Sequence, residues 1–256
     1  MLFRSLRGGT RYGPGRDGVA QRLANLVLAQ MERRGATPDD RELNAVARSK
    51  PVRQLLDVVW PRVMERVGEL ADSTIEMLID EADGTLAAAA DRAGFIASEH
   101  SDVTAWMDAG SRPAVTPPPP GFRLVSRDQV GDRPHHMIAR NGDAVGQRLV
   151  ECSLYRADLD LAVYDGDGAV AAYGLFWADL HTGVGLVEPM RTEGPFQQRG
   201  LARAVLTAGL DRLAAAGCDR FKVSYEPVNA ASRRLYLTTG FNGTSTSRAW
   251  IRGRQH

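Results

Sequence analysis

Hydrophobic residues recur at two different spacings along this chain, and the change of spacing divides it. Val19, Leu23, Leu26, Val27 and Met31 stand three and four residues apart, one face of an α-helix, and Gly35 stops the run. Thr37-Pro38-Asp39-Asp40 reads as an N-cap, a proline at the first helical position and an acid in the first turn, so a second helix should bury Leu43, Val46 and Ala47. Pro51 opens a third, with Val52, Leu55, Leu56, Val59 and Trp60 inward. Ser73-Thr74-Ile75-Glu76 has the form of a capping box ahead of Ile75, Leu78, Ile79, Ala82 and Leu86, which predicts a fourth. Residues 1–17, rich in glycine and arginine, read as a flexible arm. Residues 18–110 then read as a small all-α domain.

From Ser111 to Pro120 the pattern is broken by prolines, and such a run favours an extended, semi-rigid linker. A domain boundary is expected there. After Gly121 the spacing changes to two. Phe122–Val125 is strand-like, and Leu159, Leu161 and Val163 alternate with polar or small residues as in a half-buried strand. Asp165-Gly166-Asp167-Gly168 is a hairpin signal, followed by strands at Ala169–Ala178 and Val184–Val187. A helix at Gly200–Ala216, a strand at Arg220–Tyr225, a helix near Ala230–Thr239 and a last strand around Ala249–Ile251 complete the series. Antiparallel strands followed by strand–helix–strand–helix predict an α/β domain over 121–256, a mixed sheet with helices packed on it.

Composition narrows the partners. The chain has 256 residues and a formal net charge of +1, which argues against a strongly basic nucleic-acid binder. The average hides a split, with residues 1–53 at +6, 54–110 at −9 and 111–256 at +4. The basic portion leaves a helix-turn-helix across 38–60 open, but a helical module that packs on the second domain or mediates a homodimer is the favoured reading. Cys152 and Cys218 are too few for a disulfide framework or a zinc site. No apolar run reaches the ~18–20 residues that cross a bilayer. The basic start lacks the apolar core of a secretory signal. A cytoplasmic, membrane-free protein is the expectation.

Chemistry concentrates between Val187 and Leu206. A strand end leads through Pro189 and Pro195 into an amphipathic helix that opens with Gln197-Gln198-Arg199-Gly200-Leu201-Ala202-Arg203. Gly200 and Ala202 let a ligand approach the backbone, and the unpaired amides of a helix's first turn sit at the positive end of its dipole. That suits a phosphate or pyrophosphate, with Arg199 and Arg203 adding charge. About thirty residues later come Asn229, Leu235-Tyr236 and Gly240-Phe241.

Residues 121–256 resemble the GNAT (GCN5-related N-acetyltransferase) superfamily. Gln197, Gly200 and Ala202 match its Gln/Arg-x-x-Gly-x-Gly/Ala signature. Asn229, Leu235, Tyr236, Gly240 and Phe241 match its second motif. The resemblance implies a splayed mixed sheet and acetyl-CoA as co-substrate. It places the pyrophosphate on amides of Gln198–Arg203 and the pantetheine arm along the strand end at Met190, Arg191 and Thr192. Asn229 would contact that arm and cap the following helix, and Tyr236 would be the general acid for the departing thiolate. The general base is open: Glu188 stands at the strand end, with Glu226, Asp179 and His181 as rivals. The acceptor would be an amine of a small molecule or protein, and no metal is implied.

Two further patterns are set aside. Ile79-Asp80-Glu81-Ala82-Asp83 has the look of a nucleotide-hydrolysis box, but no phosphate-binding Gly-rich loop with Lys-Ser/Thr exists to serve it. His135-His136 is a poor metal pair, since adjacent helical residues face different ways. One functional alternative stays open, an acyl-CoA-binding regulator whose N-terminal helices contact DNA or protein.

Overall fold

The computed structural model describes residues 60, 61, 64, 65 and 74–253. The expected arm over 1–17, the helices expected up to Val59 and the helix-turn-helix segment therefore lie outside the described residues. Two compact units are formed: one holds residues through Ser101 together with Ser247 onward, the other Asp102–Thr246. The division falls within two strands, β2 (Ile96–Asp108) and β8 (Asn242–Arg252), rather than at the prolines.

In the first unit, β1 (Ile75–Asp80) and α1 (Gly84–Arg92) replace the helix expected from Ser73. Ile75 and Ile79 are β-branched, and β1 pairs antiparallel with β8, with Met77 opposite Trp250. The turn that follows uses Asp80, which accepts from the Ala82 amide at 2.8 Å. The true helix cap is Asp83, whose carboxylate accepts from the Leu86 amide at 2.9 Å. So the acidic run 80–83 makes a turn and a cap, not a helix face. Met77, Ile79, Leu86, Ala90 and Phe95 form the core, with Trp60 and Met64 packed against it. The described part of 18–110 is thus not all-α: β1 and β2 are strands.

The second unit is built on strands in the order β2-β7-β6-β5-β4-β3, with β3 at Arg123–Ser126, β4 at Asp160–Tyr164, β5 at Val170–Asp179, β6 at Val184–Thr192 and β7 at Arg220–Tyr225. Neighbours are antiparallel except β6 and β7, which run parallel. Helices α2 (Ile138–Asn141) and α3 (Val145–Val150) cover one face, and α4 (Leu201–Ala215) and α5 (Ala230–Thr239) belong to the other. The strand β4, expected to be half-buried, is buried along its whole length. Leu161 and Val163 enter the α4 core, while Ala162 and Tyr164 meet the layer under α2 and α3. A near-continuous apolar run, Leu161–Tyr164, is what two covered faces demand.

The helix α4 seats closely because of two glycines. A Cβ on Gly209 would lie 2.0 Å from the Phe176 ring, and one on Gly185 2.6 Å from Leu213. The proline tract is no spacer either. Arg112 bonds Asp211 of α4 at 3.0 and 3.1 Å, and the Thr116 amide donates to Thr207 Oγ1 at 2.9 Å.

Candidate acyl-transfer site

The decisive feature of the second unit is an opening in its sheet. The strands β6 and β7 pair only at Val184–Arg220, Gly185–Phe221 and Leu186–Lys222, although both run on beyond. From Val187 onward the backbone of β6 has no partner in β7. Here β6 also changes register against β5, between the Phe176–Val187 and Gly174–Met190 pairs. Glu188 and Pro189 lie in this irregular segment, the kind of bulge that re-aims a side chain at the edge of a site. The Glu188 carbonyl accepts from Trp177 Nε1, which anchors the backbone there.

The α4 N-terminus follows directly. Gln198 has φ of 61° and Gly200 of 78°, so the chain enters the helix through two left-handed residues. A Cβ on Gly200 would meet no atom within 4 Å. The glycine is therefore required by its backbone angle, and the space above it is open to a ligand. Arg203 reaches the Thr238 carbonyl of α5 at 3.4 Å, and Arg199 stands over the Phe196 ring at 5.8 Å. Gln197 turns back to the Thr192 carbonyl at 3.4 Å.

Tyr236 is buried on α5, its ring 5.7 Å from Tyr225 and 5.9 Å from Phe241. Burial raises its pKa, and the negative charge of Glu188 raises it further. The charge of one residue expected to do acid–base chemistry thus bears on the proton of the other. Asn229 caps α5, accepting from the Ser232 amide at 3.1 Å. Asp179 is spent at the far end of β5, bonding the His181 amide at 3.0 Å and the Thr182 hydroxyl at 2.7 Å. That turn lies four residues before Glu188 along β6, about 13 Å by strand rise. Glu226 sits just beyond β7, in the turn that leads to Asn229.

One polar cluster escaped the sequence reading. His135 and His136 are not helical, and both converge on Asp160 at the start of β4. His135 Nε2 lies 2.8 Å from Asp160 Oδ2, and His136 Nε2 approaches Oδ1 to 2.9 Å, too obliquely for a directed hydrogen bond. Tyr155 donates to Asp160 Oδ2 at 2.8 Å. The helical-facing argument against this pair thus fails. The Met137 amide donates to His135 Nδ1 at 3.2 Å, which in the neutral ring puts the proton on Nε2, facing Asp160. Only a residue 25 positions away makes the histidines converge, and no local pattern shows that. Near it, Arg140 of α2 and Arg191 of β6 both bond Glu193, which holds that carboxyl below its usual range.

Burial pushes the pKa of Asp160 up, but the histidine contacts outweigh it and hold the carboxyl at about 2. Its stabilising effect is complete above the unfolded value of about 4 and lost as pH falls through about 2. Asp160→Asn should cost about 2–3 kcal/mol at pH 7, because the buried His135 and Tyr155 donors lose a charged acceptor. Urea unfolding at pH 7 and at pH 3 checks this. A loss under 1 kcal/mol at pH 7, or one independent of pH, would contradict it.

Residues 124–241 match the model of the Acetyltransferase (GNAT) family. This part of the chain is a GNAT domain. The GNAT segment has a curated relative, "Mycothiol acetyltransferase" of Clavibacter michiganensis subsp. michiganensis, 30% identical over 138 residues. That match covers 49% of this chain and 44% of the relative, so under half of the relative's length is represented. Among solved structures, a GCN5-related N-acetyltransferase from Sphaerobacter thermophilus superposes with a TM-score of 0.59 at 15% identity, over 82% of this chain and 70% of that one. A tandem GNAT protein from the clavulanic acid biosynthesis pathway also scores 0.59 at 15% identity, over 78% and 70%. At that identity the likeness is one of fold. The sheet opening, the α4 N-terminus and Tyr236 all lie inside the GNAT segment. Among the described residues no helix is long and apolar enough to cross a membrane.

Proposed function

We propose that the GNAT domain transfers the acetyl group of acetyl-CoA to an amine by direct attack. The observation that supports this reading is the parting of β6 from β7 just before Glu188, with β6 leading through Gln198 and Gly200 into the open N-terminus of α4. The amides of Gln198–Arg203 hold the pyrophosphate, with Arg199 and Arg203 beside it. The backbone of Met190, Arg191 and Thr192 hydrogen-bonds the pantetheine arm as an added strand would. Asn229 contacts that arm from the start of α5 while its oxygen caps the helix. The relative's name supports an acetyl group as the one transferred.

Acetyl-CoA supplies the thioester, whose carbonyl carbon the neutral amine attacks and whose C–S bond breaks. Glu188, directly or through a water, takes the proton that the ammonium must lose. An amide near Met190 stabilises the charge that develops on the carbonyl oxygen. Tyr236 gives its phenolic proton to the departing thiolate. Its raised pKa keeps that proton in place at neutral pH. The regulator alternative has no support in the comparisons.

Acetyl-CoA alone should raise the melting temperature, and CoA should be released when a suitable amine is added. A mixed panel of amines, aminoglycosides, amino acids and peptides, with the acceptor of the mycothiol enzyme included, tests this by thiol detection. Failure of acetyl-CoA to bind at millimolar concentration would overturn the reading.

A further inference from the structure

The strand–helix–strand that bears Tyr236 occurs twice. Set about 145 residues apart, β1-α1-β2 and β7-α5-β8 agree in detail. Each helix begins at a side chain that accepts from the amide three residues on, Asp83 from Leu86 and Asn229 from Ser232. Each ends in a left-handed glycine followed by a buried phenylalanine, Gly94-Phe95 and Gly240-Phe241. The closing bonds are the same: Phe95 amide to Ala90 carbonyl and Gly94 to Asp91, against Phe241 to Tyr236 and Gly240 to Leu237. Each last strand then carries a fully buried alanine next to a tryptophan, Ala105-Trp106 and Ala249-Trp250.

The strand pairing repeats the correspondence. In the first unit β1 pairs with β8, and in the second β7 pairs with β2, so each copy's first strand takes the last strand of the other copy. All six positions correspond, among them Met77–Trp250 with Lys222–Trp106, Leu78–Ala249 with Val223–Ala105, and Ile79–Arg248 with Ser224–Thr104. The two ladders therefore share one register, with the first strands 145 residues apart and the last strands 144.

The first copy lacks the chemistry. Ala90 stands where the second has Tyr236.

We infer that the residues ahead of the proline tract contain a chemically silent copy of the Tyr236-bearing motif, and that its exchanged strand β2 is a positioning element for Tyr236. Val103 of β2 lies opposite Tyr225, whose ring backs Tyr236. The Met107 methyl would lie 3.3 Å from a Cβ on Gly240, at the cap that ends the tyrosine's helix. The positioning half rests on the acid role proposed for Tyr236; the exchange itself does not.

Two paired-cysteine variants of the full chain, with Cys152 and Cys218 replaced by alanine, test the exchange. Directly opposed antiparallel residues suit a disulfide. Thr104→Cys with Ser224→Cys should form a bond within one chain, read by peptide mass spectrometry. Ser224→Cys with Arg248→Cys, the pair that an unexchanged β7–β8 hairpin would oppose, should not. Any other pattern overturns the exchange. For positioning, Met107→Ala or the milder Val103→Ala should lower kcat by about fivefold or more, with KM for acetyl-CoA within about twofold. In a Tyr236→Phe background the same change should cost nothing further. An unchanged kcat, or an equal loss in that background, overturns the positioning role. If Tyr236→Phe is itself silent, the acid assignment fails while the cross-link result stands.

Discussion

Replacing Gly200 with valine should abolish acetyl-CoA binding while the domain still folds. Two effects combine. At φ of 78° a β-branched residue is strained, which costs stability of about 1–2 kcal/mol and a few degrees of melting temperature. The larger effect is steric, because the side chain enters the open space above the first α4 amides, where the pyrophosphate is proposed to rest. Losing that contact should weaken affinity by about a hundredfold or more, equivalent to about 3 kcal/mol. Gly200→Ala provides the control, since it carries backbone strain with a smaller obstruction. Titration calorimetry on both variants decides. A valine variant that binds within threefold of the parent would refute the placement of the phosphate.

Tyr236→Phe should lower turnover by about a hundredfold and leave acetyl-CoA affinity within about twofold, the size expected for loss of a general acid. The substitution keeps the ring against Tyr225 and Phe241 and removes only the oxygen, so packing is not the cause of any loss. Its raised pKa also has a kinetic sign. The active form is the protonated phenol, so an upward shift extends activity to higher pH, and Tyr236 should impose no alkaline limb up to pH ~9. Steady-state rates between pH 6 and 9, with binding measured separately, test both statements. An unchanged kcat would remove Tyr236 from the chemistry.

The two sites differ in how they can be read. Gly200 stands in a contiguous run whose meaning is local: a helix start, small residues and arginines make an anion site wherever they fold. The span of α4, β7 and α5 follows from period and turn residues in the same way, since those helices and that strand carry their own punctuation. Asp160, His135 and His136 are different. Each is unremarkable in its own stretch of chain, and only the return of β4 beneath residues 135–137 turns them into one buried cluster.

By itself the sequence determined the family resemblance, the order of the strands with α4 and α5 after Gly121, though not the short helices α2 and α3, and the residues of the candidate anion site, because period, caps and motif spacing act within a few turns of the backbone. It misread residues 73–86. A capping box and an apolar repeat are compatible with a helix, and nothing within that window reveals the antiparallel partner, β8, about 170 residues away. Tertiary structure decided three things: the strand identity of β1, the docking of the proline tract on α4 through Arg112 and Thr116, and the early parting of β6 from β7. Each depends on pairing or charge between segments far apart in the chain. Such contacts form only when the chain returns on itself, so no local pattern encodes them.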